Sequence, residues 1–464
     1  DQLNFYENNS LQLYTGNFMA NEEAVHFAMV QQPHPKQVLL LSGGIAGMIK
    51  EINKYPVEKI TYLEPNPEVF RYWRSQADSV QNFSKVDFVK TDIRSYLKKT
   101  NAIFDVILIN LPPPSTLGMN RFYTAQFFKI IKKHCNPQTV VCTSLPSTMN
   151  YAEPNALELN ASLWKTIGRY FPNRLLLPGE RNYFLASETA LTSAITDQIA
   201  QKGIQTEYVN SYYISDQLQE QRSQLLEARM KTVLNQVKVN RDFYPYLFIK
   251  QALHWLSHFG TSYYLLVIIP ALLFVLLFLR LNPISMGLYT GGFTAASLEF
   301  TLMLAYQVFY GSIYLATALF FAFFMGGLAL GSLLNRKSSK FPLMKGYAFL
   351  QFLMAAFALL VPVFVWLNES LSAWNLISQL LFFVVVFTLA FGIGYEFYLA
   401  SELRESGISK TAGINYSTDL TGSAFGAFLT AVVLLPMLGL FFTCAVVSGL
   451  NLISGSMALL TLKR

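Results

Sequence analysis

The chain of 464 residues is long enough for two or three domains. Hydrophobic residues make up 52% of it and charged residues only 14%, which is too apolar for an ordinary soluble protein of this length. The net charge of +7 is modest and no dense basic stripe carries interleaved aromatic residues, so we expect no nucleic-acid partner. The three cysteines and five histidines lack the spacing of metal ligands, so we expect no metal site.

The apolar residues are concentrated in the C-terminal half of the chain. Up to about residue 260 the sequence is mixed and charged, whereas beyond it come runs of about 20 apolar residues, enough to span a bilayer core of about 30 Å. We therefore predict a soluble domain over residues 1–250 and a membrane domain over residues 251–464.

The soluble part begins with a predicted hairpin over residues 4–14 and a helix over residues 22–31, which Pro33 and Pro35 end. Apolar runs then alternate with helical stretches. This alternation predicts a doubly wound α/β (Rossmann-like) fold, in which helices cover both faces of a parallel sheet. The predicted strands are Val38–Leu41, Lys59–Leu63, Val86–Val89, Val106–Ile109, Val140–Thr143 and a late segment, Arg174–Ser187.

Glycines and acidic residues follow the first predicted strands, at the edge where such sheets bind ligands. Gly43, Gly44 and Gly47 would let the backbone turn tightly and approach a ligand, and the next helix would offer its N-terminal amides. Glu64 ends the next strand about 20 residues on, where a carboxylate can accept both hydroxyls of a ribose. The combination predicts a nucleoside or dinucleotide site. The alternative is that the glycines only close a turn and Glu64 is solvated.

The second half of the chain begins after a charged helical stretch that reaches about residue 239. An aromatic amphipathic segment over residues 239–260 then leads into the membrane domain. Seven apolar stretches predict seven transmembrane helices, over residues 262–280, 285–308, 312–334, 344–366, 372–398, 413–435 and 439–461.

The order of several motifs over most of residues 1–250 resembles the spermidine synthase (polyamine aminopropyltransferase) family, which implies a class I methyltransferase-like fold. The motifs are HFAMVQQPHPKQVLLLSGGIAG, ITYLEPNPEV, VDFVKTDIRSYL, FDVILINLPPP, NRFYTAQFF and GERNYFLAS. The membrane part is similar to multi-span segments fused to spermidine-synthase-like domains in many bacterial proteins, through GGFTAASLEFTLMLAYQ, FFMGGLALGSLL and YSTDLTGSAFGAFL.

The resemblance implies a ligand and the residues that bind it. Members of the family transfer an aminopropyl group from decarboxylated S-adenosylmethionine to an amine. By the resemblance, Gly43, Gly44 and Gly47 match the nucleoside loop, Glu64 the ribose carboxylate and Asp92 the acidic residue near the adenine. These positions are retained, so a vestigial adenosyl ligand is possible. We expect no firmly bound cofactor.

The resemblance also implies that the amine-handling residues are replaced. Aminopropyl transfer needs a carboxylate to deprotonate the attacking nitrogen and others to hold the ammonium groups. The family's catalytic aspartate falls on Asn110, so no catalytic residue is intact. Because all the replacements remove charge or hydrogen bonding from one substrate, we predict that the activity is lost. The other replaced positions are Pro113, Ile45, Ala20 and Asn21.

Three carboxylates, Glu299, Glu396 and Asp419, lie within the predicted spans. Ionisable groups at membrane depth are expensive and face a cavity or a partner. They predict either a proton or cation pathway or hydrogen bonds to neighbouring helices. Two GxxxG spacings, Gly327–Gly331 and Gly422–Gly426, predict close helix contacts, within one bundle or between subunits.

Basic residues flank the predicted spans on one side. With seven spans, all of them lie on the face opposite the soluble domain, and basic loops favour the cytoplasm. We therefore predict a bacterial inner-membrane protein whose soluble domain is extracytoplasmic, which would require a signal or span upstream of residue 1. A miscount of one span reverses part of this prediction. The basic residues are Arg280, Arg336, Lys337, Lys340, Lys345, Arg404, Lys410, Lys463 and Arg464.

The leading functional hypothesis is a membrane-anchored, catalytically degenerate spermidine-synthase-like protein that serves as a binding or scaffolding subunit of a membrane assembly. Its partners would be the lipid bilayer and other membrane or extracytoplasmic protein subunits. The first alternative is an active aminopropyltransferase in which Glu22 or Asp92 replaces the usual base. The second alternative is an ion-coupled transporter that uses Glu299 and Asp419.

Overall fold

The computed structural model describes residues 4–7, 10–14, 16–64, 68–69, 71, 84–147, 154–257, 263–311, 314–334, 343–370, 375–404 and 407–461. The chain divides into two compact units. The N-terminal unit comprises Asp1–Asp242 and Tyr246–Trp255, and the helical unit comprises Phe243–Pro245 and Leu256–Arg464.

The N-terminal unit begins with the predicted hairpin, in which β1 (Asn4–Glu7) pairs antiparallel with β2 (Ser10–Tyr14). The first helix, α1 (Phe18–Met29), starts four residues earlier than the sequence pattern predicts. The reason is a cap that the pattern did not reveal, because the Asn17 side chain accepts a hydrogen bond from the Ala20 backbone N–H at 3.3 Å.

Seven further strands form one mixed sheet: β3 (Gln37–Leu41), β4 (Lys59–Leu63), β5 (Val86–Val89), β6 (Phe104–Ile109), β7 (Cys135–Pro146), β8 (Asn173–Pro178) and β9 (Arg181–Ser187). Their spatial order is β5-β4-β3-β6-β7-β9-β8. The strands from β3 to β7 pair in parallel, whereas β9 is antiparallel to β7 and to β8. The doubly wound α/β fold is thus confirmed, but the late segment is an antiparallel hairpin that turns at Gly179 and Glu180.

Helices cover both faces of this sheet because its central strands are apolar on both faces. Along β3, Leu39 and Leu41 belong to one buried cluster, whereas Val38 and Leu40 belong to the cluster on the opposite face. Besides α1, the helices of this unit are α2 (Met48–Ile52), α3 (Ile93–Lys99), α4 (Leu117–Asn120), α5 (Ala125–Lys132), α6 (Pro154–Ile167), α7 (Ile195–Lys202), α8 (Asp216–Val233) and α9 (Tyr246–Ser257).

The helical unit contains a helix over each of the seven predicted spans: α10 (Tyr263–Arg280), α11 (Pro283–Tyr310), α12 (Tyr314–Leu333), α13 (Leu343–Ser370), α14 (Asn375–Glu402), α15 (Ile408–Leu429) and α16 (Gly439–Leu460). A π-helical stretch, Thr430–Leu438, joins the last two. Among the described residues, four helical stretches are long and apolar enough to cross a membrane: Ala316–Leu333, Leu343–Glu369, Leu376–Glu402 and Ile408–Leu460. The last covers two predicted spans, so the count of seven stays a prediction.

Helix α11 is not among these four stretches, and its place in the unit gives the reason. It packs against α13, α14, α15 and α16, and most of its residues are buried. A helix surrounded by other helices can carry glycine, serine and threonine, which lower its hydropathy. The peripheral helices instead expose apolar side chains, such as Leu279, Phe349 and Leu376, as lipid-facing helices do.

Both GxxxG spacings lie at helix contacts inside the helical unit. A Cβ atom added to Gly422 or Gly426 of α15 would collide with the backbone of α11, and one added to Gly327 or Gly331 of α12 would collide with the backbone of α14. The small residues therefore let the paired helices approach at backbone distance.

Candidate functional site

The glycine loop, Ser42–Gly47, follows β3 at the carboxyl edge of the sheet. Leu41 pairs in register with Leu63 of β4 and with Ile109 of β6, so the loop, Glu64 and Asn110 lie side by side. The predicted carboxyl-edge residues of these three strands are therefore brought together, as parallel topology requires.

The loop turns through two left-handed residues, Ser42 at φ 64° and Gly43 at φ 82°. A Cβ atom on Gly43 would collide with the side-chain nitrogen of Asn110. Gly43 is thus required both by its backbone conformation and by the amide that lies against it. The Asn110 side chain therefore packs directly on the glycine loop.

The second half of the loop is held by Asn21, which sequence reasoning treated only as a lost substrate contact. The 3-10 turn Gly44–Ala46 ends at Gly47, whose φ is 124°. The Asn21 side-chain amide donates a hydrogen bond to the carbonyl of Ala46 at 2.5 Å. Ile45 lies in this turn, and its side chain is outside the described residues. The helix that follows the loop, α2, has five residues, and the binding of a ligand by its N-terminal amides stays a prediction.

Glu64 is buried at the end of β4, with 2% of its surface exposed. Its Oε2 atom accepts hydrogen bonds from the Ser42 hydroxyl at 3.1 Å and from the Tyr62 hydroxyl at 2.6 Å. Both contacts orient the carboxylate from the side of the glycine loop. The solvated alternative for Glu64 is therefore wrong, whereas its role as a ribose ligand stays a prediction.

Asp92 is engaged by the protein itself. It caps α3 by accepting the Ser95 backbone N–H at 3.0 Å, and both of its oxygens contact a nitrogen of buried Arg121 at 2.8 and 2.7 Å. Burial alone would raise the pKa of Asp92, but Arg121 and the capping hydrogen bond lower it below its usual value. Asp92 is thus an ionised partner of Arg121, and its adenine role stays a prediction.

The loop after β6 carries the remaining replaced positions. The Asn110 backbone N–H donates to the carbonyl of Leu41 at 3.0 Å, and Pro113 lies half-buried three residues on. The buried Tyr123 hydroxyl lies 3.0 Å from the carbonyl of Leu111 and 2.9 Å from that of Pro112. These contacts fix the backbone of the loop, which supplies an amide and no carboxylate at Asn110.

Glu22 is buried and its carboxylate is occupied. Oε1 accepts the backbone N–H of Glu207 at 2.7 Å, and Oε2 accepts those of Tyr208 and Val209 at 2.8 and 2.9 Å. These three hydrogen bonds connect helix α1 to the segment that follows α7. Glu22 therefore has a structural role in this conformation.

Glu22, His26 and Glu51 form a group whose ligand atoms lie within 4.8 Å of one another, a spacing that could hold a metal ion. His26, however, lies 3.0 Å from Glu51 through Nε2 and 2.8 Å from the Tyr55 hydroxyl through Nδ1. Burial alone would raise the pKa of Glu51, but hydrogen bonds from His26 and Lys54 lower it. Since each member already has protein partners, we assign the group to a buried hydrogen-bond network.

Glu23 is a second buried carboxyl group on α1, and sequence reasoning gave it no role. Its Oε2 accepts the Glu180 backbone N–H at 2.7 Å, at the turn between β8 and β9. Burial is the main cause that raises the pKa of Glu23 to about 7. A carboxyl group with this pKa can gain or lose a proton near neutral pH.

Of the three predicted carboxylates of the helical unit, two lie beside adjacent residues of α11 and the third lies further along this helix. Glu396 of α14 lies against Gly291, and Asp419 of α15 lies against Gly292, so both flank adjacent residues of α11. Glu299 lies further along α11 and is half-buried.

Comparison with known proteins follows the same division of the chain. Residues 17–173 match the model of the spermine/spermidine synthase domain. The chain carries a spermidine synthase domain. The sheet described above is the methyltransferase-like fold that this resemblance implies, and the helical unit, with its four apolar stretches, is consistent with a fused membrane domain.

The curated relatives that match include polyamine aminopropyltransferases. One from Leptospira interrogans is 33% identical over 129 residues, which are 26% of this chain and 26% of the relative. One from Oceanobacillus iheyensis is 30% identical over 125 residues, 25% of this chain and 24% of the relative. The chain thus spans about a quarter of the length of these relatives.

Solved structures that are similar to this chain include two spermidine synthases. A spermidine synthase in complex with the transition state analogue AdoDATO is 17% identical, with a TM-score of 0.39 over 48% of this chain and 82% of the other. The spermidine synthase from Thermotoga maritima is 17% identical, with a TM-score of 0.37 over 48% of this chain and 81% of the other.

Proposed function

We propose that the spermidine synthase domain of this protein binds an adenosyl compound but does not transfer an aminopropyl group. In this proposal the domain is a binding module, and the helical unit anchors it among other membrane protein subunits. Binding and catalysis require different residues here, so each half of the proposal has its own support.

The observation that carries the proposal is the state of the carboxylates that could act as the base. The base position holds Asn110, an amide that cannot accept a proton from an ammonium nucleophile. Glu22 already accepts three backbone N–H groups, and Asp92 is paired with Arg121. Either acid would have to leave its partners before it could replace the missing base.

The retained half of the site supports binding. The glycine loop keeps its left-handed turn, and the hydroxyls of Ser42 and Tyr62 hold the Glu64 carboxylate at the same sheet edge. A carboxylate in this position can accept the two hydroxyls of a ribose, and hydrogen bonds to charged groups contribute about 1.5–3 kcal/mol each.

The test measures binding of 5′-methylthioadenosine and decarboxylated S-adenosylmethionine to the purified full-length protein by calorimetry. Glu64→Gln keeps the shape of the side chain but removes its charge, so we expect at least about a tenfold weaker affinity. The matched control is Glu58→Gln, because Glu58 lies on the surface in an exposed pair with Lys36. If wild-type protein binds neither nucleoside, the binding half of the proposal is wrong.

The second candidate function is an active aminopropyltransferase, which the activity named for the curated relatives favours. Glu23 is the residue to test first, because its pKa of about 7 suits a general base. Product formation from decarboxylated S-adenosylmethionine and putrescine that is lost in Glu23→Gln and kept in Glu58→Gln would establish this function. Wild-type protein that forms no product would exclude it for putrescine.

We also propose that the protein lies in a bacterial inner membrane with the spermidine synthase domain outside the cytoplasm. Four apolar helical stretches support a place in a membrane, and the basic residues near the ends of the predicted spans support the orientation. The test is labelling of intact cells with a membrane-impermeant thiol reagent. Tyr212→Cys, at an exposed position of the domain, should react, whereas Ile408→Cys, at the exposed first residue of α15, should not. The reverse pattern would contradict the orientation.

A further inference from the structure

We propose that Glu396 is a proton-binding site inside the helical unit and carries a proton at neutral pH. The inference concerns the helical unit alone and does not depend on what the spermidine synthase domain binds. It rests on the burial of Glu396, on the unequal partners of its two oxygens and on the charges around it.

Glu396 lies on α14 with 1% of its surface exposed, and donors from α13 contact one of its oxygens. Oε1 accepts a hydrogen bond from the Gln351 side-chain amide at 2.5 Å. The Tyr347 hydroxyl lies 3.3 Å from the same oxygen and 2.8 Å from the carbonyl of Ile284. Both donors are neutral, so they orient the carboxyl group without balancing a negative charge.

The second oxygen of Glu396 has no hydrogen-bond partner among the described residues. It faces α11, where a Cβ atom on Gly291 would collide with it. A buried carboxylate oxygen without a partner is costly when it carries charge, because the protein interior solvates charge poorly. The free oxygen is therefore the place where a proton would sit.

The charges near Glu396 do not neutralise it. No ion pair joins Glu396 to a basic residue in the part of the chain that the structure describes. Arg404, two residues beyond the end of α14, donates instead to the Ser285 hydroxyl at 2.6 Å. Asp419 approaches from α15 beside Gly292, so α15 brings a second acidic group, and not a counter-ion, to the same part of α11.

The surroundings fit a proton better than a metal ion. A hard cation needs about six oxygen ligands, whereas Oε2 of Glu396 faces the backbone of α11, where helical carbonyl groups already accept hydrogen bonds. The Gln351 amide directs a hydrogen toward the carboxyl group, and this hydrogen would repel a cation. One proton on Oε2 satisfies the charge and needs no further ligand shell.

Glu396 also stands at one end of a buried polar chain between helices. The carbonyl oxygen of the Gln351 side chain accepts from the Ser454 hydroxyl at 2.8 Å and lies 3.4 Å from the Thr290 hydroxyl. One helical turn further along, the Asn451 side chain donates to the Thr294 hydroxyl at 2.6 Å. Loss of the proton from Glu396 would therefore change hydrogen bonds on α11, α13 and α16 together.

The experiment is infrared difference spectroscopy of the full-length protein in lipid nanodiscs, which detects the carbonyl stretch of protonated carboxyl groups. Samples are compared before and after a pH step, in wild type and in Glu396→Gln. The matched control is Glu299→Gln, a second carboxyl group of the same unit. We expect a protonated carboxyl band at neutral pH that disappears in Glu396→Gln and persists in Glu299→Gln.

A measurement without substitution guards against a variant that fails to fold. In wild-type protein that contains carbon-13 carboxyl-labelled glutamate, the frequency of the band should shift. Labelling of aspartate instead should leave the frequency unchanged. In Asp419→Asn the band should disappear at lower pH than in wild type, because one opposing negative charge is removed. A spectrum with no glutamic acid band at neutral pH, or a band that Glu396→Gln leaves unchanged in folded protein, would overturn the proposal.

Discussion

Replacing Asp92 with serine should destabilise the spermidine synthase domain, because it removes a carboxylate that pairs with the buried guanidinium of Arg121. Arg121 is 3% exposed and the Asp92 side chain 17% exposed. Serine can still cap α3, so the substitution isolates the ion pair from the cap. Loss of one partner of a buried pair costs about 3–5 kcal/mol, and the partial exposure of Asp92 favours the lower end, about 3 kcal/mol.

The assay is thermal unfolding of the purified full-length protein, followed by intrinsic fluorescence. About 3 kcal/mol corresponds to a fall of about 6–12 °C in the Tm of a domain of this size. The double variant Asp92→Ser/Arg121→Met should recover most of the loss, since it removes both charges. Asp87→Asn is the control, because both side chains of the Asp87–Lys59 ion pair are exposed. This pair should contribute less than about 1 kcal/mol to the free energy of unfolding.

The same variants separate the structural role of Asp92 from an adenine-binding role. If Asp92 serves Arg121, the double variant should bind 5′-methylthioadenosine with nearly the affinity of wild type. A variant with an unchanged Tm and an affinity more than about tenfold weaker would refute this reasoning, because Asp92 would then act on the ligand and not on Arg121.

Three further predictions concern single side chains. Glu23→Gln should be as stable as wild type below about pH 4.5 and more stable than wild type above about pH 7. Between these values wild type loses stability as pH rises, because the buried Glu23 carboxyl group, whose pKa is about 7, loses its proton. A Tm difference between the two proteins that does not vary with pH would contradict this prediction. Gly43→Ala should lower the Tm more than Gly203→Ala, because both glycines have positive φ but only Gly43 would place its Cβ against Asn110; equal losses would show that this contact is unimportant. Gly422→Leu should destabilise the helical unit in nanodiscs, whereas Gly413→Leu, with open space at its Cβ, should not; similar effects would argue against close packing of α15 on α11.

The parts of the fold that the sequence could predict depend on local patterns. The apolar runs of the central strands predicted their places, because parallel strands are buried on both faces. The sequence predicts a single late strand because the two halves of this segment, Asn173–Pro178 and Arg181–Ser187, are both largely apolar. The turn between them depends on Glu23, whose carboxylate lies at Gly179 and accepts the N–H of Glu180. A contact across 157 residues leaves no mark in the local pattern.

The sequence predicts where the residues of the candidate site lie, but it does not predict their hydrogen-bond and ion-pair partners. The glycine loop and Glu64 could be placed because parallel strands end at one edge of the sheet. The sequence could not predict that Asp92 is paired, because its partner Arg121 lies 29 residues further along the chain. Likewise, the sequence could identify Glu396 as an intramembrane acid, but only the packing of α11 and α13 reveals which of its oxygens has partners.

The central claim is that the spermidine synthase domain keeps a nucleoside site without a base. It is tested most directly by incubating the purified full-length protein with decarboxylated S-adenosylmethionine and putrescine and measuring 5′-methylthioadenosine release in the same preparation that is used for calorimetry. We predict that the protein binds 5′-methylthioadenosine, that Glu64→Gln weakens this binding, and that no product is released above the rate without protein. Release of product at a rate that Asn110→Ala or Glu23→Gln abolishes would contradict the account.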